Sequence, residues 1–126
     1  MKQLSAANIP DLRAKKIDIH ATIIIAFAIG LATLTPVETL PNVSGSDKFY
    51  HLISFAILPL PIAIIRPNAM WIILSLSIAY GGAIEVLQPL VSRNCEMADL
   101  FADACGAVLG ILGGKLLLSK TRLSAN

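Results

Sequence analysis

The sequence predicts an all-α, polytopic membrane protein with four transmembrane helices and with both termini in the cytoplasm. Three observations predict this fold class. The 126 residues are 56% hydrophobic and only 14% charged, with a mean hydropathy of +0.74, whereas a soluble domain carries about 25% charged residues. Four apolar segments each approach the roughly 20 helical residues that cross a bilayer. Basic residues are concentrated on one side of the bundle that these segments would form.

The four apolar segments are each bounded by proline or by polar residues. They cover residues 19–37, 49–65, 70–88 and 98–119. The second segment contains Pro59 and Pro61, which both lack a backbone N–H group. We therefore expect its helix to kink or to unwind locally near the middle.

The distribution of positive charge predicts the orientation in the membrane. Eight of the ten basic residues fall on one side of a four-span bundle: Lys2, Arg13, Lys15, Lys16, Arg66, Lys115, Lys120 and Arg122. The opposite connections hold only Lys48 and Arg93. The positive-inside rule then predicts a multi-pass protein of the cytoplasmic (inner) membrane, with cytoplasmic tails at residues 1–18 and 120–126 around a four-helix domain at residues 19–119.

Strong acid–base side chains inside the apolar segments all fall at the outward end of the predicted bundle. His51, Glu85 and Asp103 each lie about one helical turn from a segment terminus. Ionisable residues within transmembrane segments are costly and by default mark a functional site. The connection at residues 89–97 is short, which makes segments three and four antiparallel neighbours and brings Glu85 close to Asp103 in depth.

The residue types of this outward layer suggest roles. We predict His51, Glu85 and Asp103 as candidate catalytic residues. The candidate ligand-binding residues are Asp47, Lys48, Gln88, Arg93 and Asp99. Arg93 is expected to bridge to Asp99 or Glu96, or to hold a phosphate or carboxylate of a ligand. His51 beside a carboxylate would be either a general base or a hydrogen-bonded strut. The alternative is that each group is structural, as membrane glue or as a solvated charge at the rim.

A metal site in this layer is chemically feasible but has no signature in the sequence. Imidazole and carboxylate groups from His51, Glu85, Asp99 and Asp103 would suit several divalent ions. Their spacing matches no recognised metal motif, so the sequence predicts neither a metal ligand set nor a cofactor. The net charge of +2, without a basic stripe, also excludes nucleic acid as a partner.

Small residues recur along the fourth segment and predict close helix packing. Gly106, Gly110 and Gly114 are spaced by four, and Gly81 and Gly82 adjoin Glu85 in the third segment. Small residues let helices approach each other closely in lipid. The same stripe supports an alternative function, in which the chain is a non-enzymatic subunit that packs against other membrane proteins.

Two blocks of this sequence resemble the VanZ-like family of membrane proteins. The first is Asp47-Lys48-Phe49-Tyr50-His51 with Phe55, similar to a D-K-x-x-H-x-x-x-F signature. The second runs from Tyr80 through Glu85 and Gln88, and continues through Arg93, Asp99, Asp103 and Gly106 to Gly110. Together they cover residues 47–114. The chain departs from the family where Asp103 replaces a frequent asparagine and where the glycine that often precedes the arginine is missing.

The resemblance implies a small, bacterial, multi-pass protein of the cell envelope. The family is named for a component that lowers susceptibility to the glycopeptide teicoplanin. Combined with the outward polar layer, this predicts that the chain binds or acts on an anionic lipid-linked or cell-envelope component. The expected partners are a membrane lipid or lipid-linked envelope precursor, or other membrane proteins. Whether a reaction follows binding stays open.

Overall fold

The chain folds as a bundle of helices. The computed structural model describes residues 9–36 and 46–124, without the side chains of residues 9–15 and 122. The helices are α1 (Ile9–Thr33), α2 (Ser46–Ile57), α3 (Leu60–Ile65), α4 (Met70–Leu87) and α5 (Met97–Ser124). Short 3-10 turns at Pro67–Ala69 and Gln88–Val91 flank α4. The described ranges contain no β-strand, which confirms the all-α prediction.

Four stretches of the described chain are long and apolar enough to cross a membrane. They are Lys16–Thr33, Ser46–Ile65, Pro67–Val91 and Met97–Thr121. This confirms the four predicted transmembrane helices, although α1 begins well before the predicted first segment and Val37 lies outside the described residues. Large apolar side chains such as Trp71 and Val86 face outward with 68% and 73% exposure, as expected for a surface that lipid covers.

The second span is broken into α2 and α3 at Leu58 and Pro59. Pro59 cannot donate a backbone hydrogen bond, and its ring disfavours an uninterrupted helix. The backbone bonds resume on either side, from the Leu58 N–H to the Ser54 carbonyl (3.0 Å) and from the Ala63 N–H to the Pro59 carbonyl (2.9 Å). The predicted disruption near the middle of this span is therefore confirmed.

A stripe of glycines along α5 packs against this broken span. The stripe consists of Gly106, Gly110 and Gly114. A Cβ atom on the first would collide with the Leu52 carbonyl, on the second with the Ala56 carbonyl, and on the third it would lie 2.7 Å from the Ala63 Cβ. The three glycines thus permit the close approach of α5 to α2 and α3 that the sequence predicted.

Near the His51 end of the bundle, a hydrogen bond and an apolar cluster hold α1 against α2 and α4. The Tyr80 hydroxyl on α4 donates to the Ala26 carbonyl on α1 (2.5 Å). Around this bond, Ile29 of α1 packs with Phe55 of α2 and Ile84 of α4. This cluster lies one helical turn from His51 toward the middle of the bundle, because Phe55 follows His51 by four residues on α2.

A buried ion pair lies at the other end of the bundle. Arg66 Nε donates to Asp18 Oδ2 (2.6 Å) and Nη2 donates to Asp18 Oδ1 (3.1 Å), while Asp18 itself is 0% exposed. The prediction that ionisable side chains are confined to the outward end is therefore wrong. Asp18 lies just before the predicted first segment, but α1 continues through it, so burial of its carboxylate requires a cationic partner. The pair also brings the start of the first span and the α3–α4 connection to the same end.

Candidate functional site

Five polar side chains form a buried layer at one end of the bundle. His51 lies in the second turn of α2, Glu85 in the last turn of α4, Gln88 in the 3-10 turn that follows, and Asp99 and Asp103 in the first two turns of α5. Their exposures are 1%, 4%, 1%, 2% and 0%, respectively. We call these five residues the polar layer. Three separate helices therefore bring these residues together at one end of the bundle.

His51 and Asp103 form the centre of the polar layer. The His51 Nδ1 lies 2.9 Å from Asp103 Oδ1, so the ring donates to the carboxylate when Nδ1 carries a proton. The ring of Phe55 stacks on His51 with a centroid separation of 6.5 Å. On the other side Gly81 forms the wall, since a Cβ atom there would lie 2.5 Å from Asp103 Oδ2. The pair is thus held in a fixed orientation by α2 and α4.

Glu85 links the polar layer to the connection between α4 and α5. Its Oε2 accepts a hydrogen bond from the Glu96 backbone N–H (2.9 Å). The Gln88 side-chain amide is oriented so that its oxygen and its nitrogen both have hydrogen-bond partners. Its nitrogen then donates to Glu85 Oε2 and to the Asn94 carbonyl, each at 3.2 Å. The carboxylate therefore has a defined orientation before any ligand binds.

Two ion pairs form the rim above the polar layer. Lys48 Nζ donates to Glu96 Oε2 (2.7 Å) and lies 3.6 Å from Asp99 Oδ1. Arg93 Nη2 donates to Asp47 Oδ1 (2.7 Å). Lys48 and Asp47 are about half exposed, at 48% and 49% of their side chains, whereas Arg93 is 9% exposed. The rim pairs therefore lie between the buried groups and the surface.

One of the two roles predicted for Arg93, a bridge to Asp99 or Glu96, is wrong. Both of these acids face Lys48, and Arg93 instead bonds to Asp47 on α2. The other predicted role, binding a phosphate or carboxylate of a ligand, stays a prediction. Ser92, the residue before Arg93, has a φ of 60° and a ψ of 32°. This left-handed conformation is the one that glycine adopts most easily, and the resemblance implies a glycine at this position.

These same residues carry the two sequence blocks described above, and they now share one site. The VanZ/LLP1 family model matches residues 8–118. The chain belongs to the VanZ/LLP1 family. Comparisons with curated proteins and with solved structures give no match.

The VanZ/LLP1 blocks bring every predicted site residue to one end of the bundle. One ligand atom from each of the candidate catalytic residues His51, Glu85 and Asp103 lies within 4.8 Å of the others. The same holds for Asp47, His51 and Asp99. The remaining candidate ligand-binding residues, Lys48, Gln88 and Arg93, bond to this group as described. The expected proximity of Glu85 and Asp103 is thus confirmed.

Several polar atoms in the layer have no hydrogen-bond partner among the described residues. They are His51 Nε2, Asp99 Oδ1 and Asp103 Oδ2, although Lys48 faces Asp99 Oδ1 electrostatically at 3.6 Å. An unpaired buried polar atom costs free energy, about 1–3 kcal/mol by mutational data. The layer of this VanZ/LLP1 protein can therefore accept a hydrogen bond, a proton or a cation.

Two contributions to the site were not predicted as such. The Glu96 backbone N–H donates to the Glu85 carboxylate, and Gly81 leaves room for the Asp103 carboxylate. The sequence indicated Gly81 only as a packing residue and Glu96 only by its side chain. The available signal for Gly81 was its spacing of four from Glu85, because residues so spaced share a helix face.

Proposed function

We propose that the polar layer and its rim bind the anionic head group of a membrane lipid or of a lipid-linked envelope component. The observation that carries this proposal is the convergence of five side chains, all less than 5% exposed, at one end of an otherwise apolar bundle. Polar groups within membrane spans are costly. A purely structural role would be met by one satisfied pair, and it does not account for the unpartnered atoms of His51 and Asp103.

The rim cations are the groups that would meet the anionic part of the ligand. Lys48 is half exposed and its ammonium group is shared between Glu96 and Asp99. Arg93 uses one terminal nitrogen for Asp47, and a guanidinium group has five N–H donors in a fork that suits phosphate. A phosphate at the membrane surface can therefore bind to both cations without entering the apolar core.

The His51–Asp103 pair would act on the part of the head group that reaches deepest. The carboxylate holds the ring through Nδ1, which leaves Nε2 as an acceptor for a hydroxyl group of the ligand. A histidine held in this way is suited to accept a proton near neutral pH. Glu85 and Gln88 would position the same hydroxyl from the α4 side.

The glycine stripe gives less support to the partner-subunit alternative. Gly106 and Gly110 are buried against Leu52 and Ala56 of the chain's own second span. These glycines are therefore not on the surface that another membrane protein would contact. Altered susceptibility to glycopeptides is the cellular phenotype in which we expect head-group binding to be visible.

Thermal stabilisation by a defined lipid tests this proposal. The full chain is purified in detergent, delipidated, and unfolded with and without a polyprenyl phosphate, with the uncharged polyprenol as the ligand control. We expect the phosphate to raise the Tm and the polyprenol to leave it unchanged, because a ligand that binds only the folded state stabilises it. A phospholipid with an anionic head group, tested in parallel, separates the two lipid sources.

Variants at the two ends of the bundle locate the binding. Lys48→Met and Arg93→Met should each remove the phosphate-dependent rise in Tm, and Lys115→Met, a cation near the opposite end of α5, should keep it. Glu85→Gln and His51→Ala should insert into the membrane but fail to produce the envelope phenotype. An equal rise in Tm with polyprenyl phosphate in the Lys48, Arg93 and Lys115 variants would contradict the proposal.

A further inference from the structure

The centre of the polar layer has the donor set of a cation site. One nitrogen of His51 and one carboxylate oxygen from each of Glu85 and Asp103 lie within 4.8 Å of one another. All three residues are less than 5% exposed, and they come from α2, α4 and α5. Small shifts of these side chains would place all three atoms roughly 2.0–2.2 Å from one shared ion, the distance at which imidazole and carboxylate groups bind a divalent metal.

The His51–Asp103 pair keeps lone pairs that no described group uses. His51 Nδ1 lies 2.9 Å from Asp103 Oδ1, and two ligand atoms that bind one ion at a right angle are about 3 Å apart. Among the described residues, the buried Nε2 of His51 and Oδ2 of Asp103 have no hydrogen-bond partner. An ion held between the deprotonated Nδ1 and the carboxylate would therefore fit the observed separation.

The charge of the cluster points to a cation in the same way. Among the described residues, two permanent cations, Lys48 and Arg93, face a group of five carboxylates: those of Asp47, Glu85, Glu96, Asp99 and Asp103. Carboxylates placed so close in a low-dielectric setting repel one another unless a positive charge is shared between them. The rim cations neutralise at most two of the five carboxylates. The negative charge that is left without a positive partner therefore falls mainly on the buried acids.

We propose that His51, Glu85 and Asp103 bind one divalent first-row transition ion. One imidazole with two carboxylates is a mixed nitrogen and oxygen set that suits Mn²⁺, Fe²⁺ or Zn²⁺. The neighbouring set of Asp47, His51 and Asp99 fits less well, because Asp47 is half exposed and already bonded to Arg93. The role of this ion in head-group binding rests on the proposed function. The ion would give an anionic head group a positive partner below the rim.

Mn²⁺ alone serves as the probe, since it prefers oxygen and imidazole ligands to the thiols of Cys95 and Cys105. The full chain is placed in nanodiscs of zwitterionic phosphatidylcholine, stripped with a chelator, and titrated with Mn²⁺ while electron paramagnetic resonance reports the free ion. We expect one bound Mn²⁺ per chain. His51→Gln, Glu85→Gln and Asp103→Asn should each weaken binding at least roughly tenfold.

Matched variants decide where the ion binds. Asp18→Asn removes a buried carboxylate at the other end of the bundle, so this variant should bind Mn²⁺ like the parent. Loss of binding in Asp47→Asn, with Asp103→Asn unaffected, would overturn the proposed ligand set. Absence of bound Mn²⁺ in the parent chain, or equal binding in all variants, would overturn the site itself.

An isotope measurement keeps the test independent of variant folding. Pulsed resonance on the bound Mn²⁺ should show coupling to one histidine nitrogen, and its frequency should change when the chain carries ¹⁵N-labelled histidine. His20 is the other histidine and is exposed, so His20→Ala should keep the coupling. A bound ion without nitrogen coupling contradicts the proposal. No anionic lipid is present in this measurement, so a lack of Mn²⁺ binding does not contradict head-group binding. Likewise, a lack of stabilisation by polyprenyl phosphate does not contradict Mn²⁺ binding.

Discussion

Replacement of Gly81 by alanine tests whether α4 fixes the Asp103 carboxylate. An added Cβ atom would lie 2.5 Å from Asp103 Oδ2 and 3.1 Å from its Cβ. Real Cβ atoms essentially never approach closer than 3.0 Å, so the oxygen must withdraw by about 0.5 Å, the difference between 3.0 and 2.5 Å. Gly82 is the matched control, because an added Cβ there meets nothing within 4 Å.

The comparison of the two alanine variants isolates the clash. Both gain the same helix propensity over glycine, about 1 kcal/mol, which therefore cancels between them. Overpacking of a filled interior costs about 1–3 kcal/mol. We expect Gly81→Ala to be less stable than Gly82→Ala by that amount. The difference grows if the movement of Asp103 also breaks its 2.9 Å bond to His51.

Unfolding in mixed micelles of increasing sodium dodecyl sulfate content, followed by circular dichroism, measures this difference in stability. Nuclear magnetic resonance of ¹⁵N-labelled histidine adds a local readout. The His51 nitrogen resonances should shift in Gly81→Ala and stay in place in Gly82→Ala, with His20 as an internal reference. Equal unfolding free energies together with unchanged His51 resonances would refute the assigned contact between α4 and the carboxylate.

Other features of the bundle give further tests. Gly106→Ala places a methyl group against the α2 backbone, so we expect a loss of about 1–3 kcal/mol relative to Gly113→Ala, which has open space; equal stabilities would contradict this packing. Arg66→Met leaves the buried Asp18 carboxylate without its bidentate partner and should cost about 3–5 kcal/mol in the same micelle assay. The double variant with Asp18→Leu should recover part of that loss, and a single variant as stable as the parent would count against the pair. Cys95 is exposed at the site end of the bundle, so a membrane-impermeant maleimide should label it in intact spheroplasts. Labelling only after lysis would overturn the predicted orientation.

Much of the architecture could be predicted because it depends on local sequence. Apolar length predicts the spans, and Pro59 predicts the break in the second span. The short connection between the third and fourth spans predicts that Glu85 and Asp103 meet. Each of these inferences needs only the spacing along the chain.

The pairing of charges could not be predicted in the same way. Asp47, Glu96 and Asp99 each offer Arg93 a carboxylate, and spacing along the chain does not indicate that the partner is Asp47. The bond between Arg66 and Asp18 joins residues 48 apart in sequence. Only the tertiary approach of distant segments decides such partners.

The different surroundings of Gly81 and Gly82 also could not be predicted from the sequence. Both glycines lie within about one helical turn before Glu85, and both were expected to allow close helix packing. Adjacent residues of a helix point about 100° apart. One glycine therefore lies against Asp103 and the other faces open space, a distinction that requires knowledge of which face of α4 is buried.

The distribution of the polar layer over separate spans has a consequence for synthesis of the protein. His51 and Asp103 are 52 residues apart, so at about 5–20 residues per second His51 emerges from the ribosome roughly 3–10 s before its partner. Lys48 likewise precedes Glu96 by 48 residues. The second span must therefore enter the membrane with its polar end unpaired, and it is completed only when the last span arrives. A chain that lacks the last span would leave these polar groups without their partners on α5.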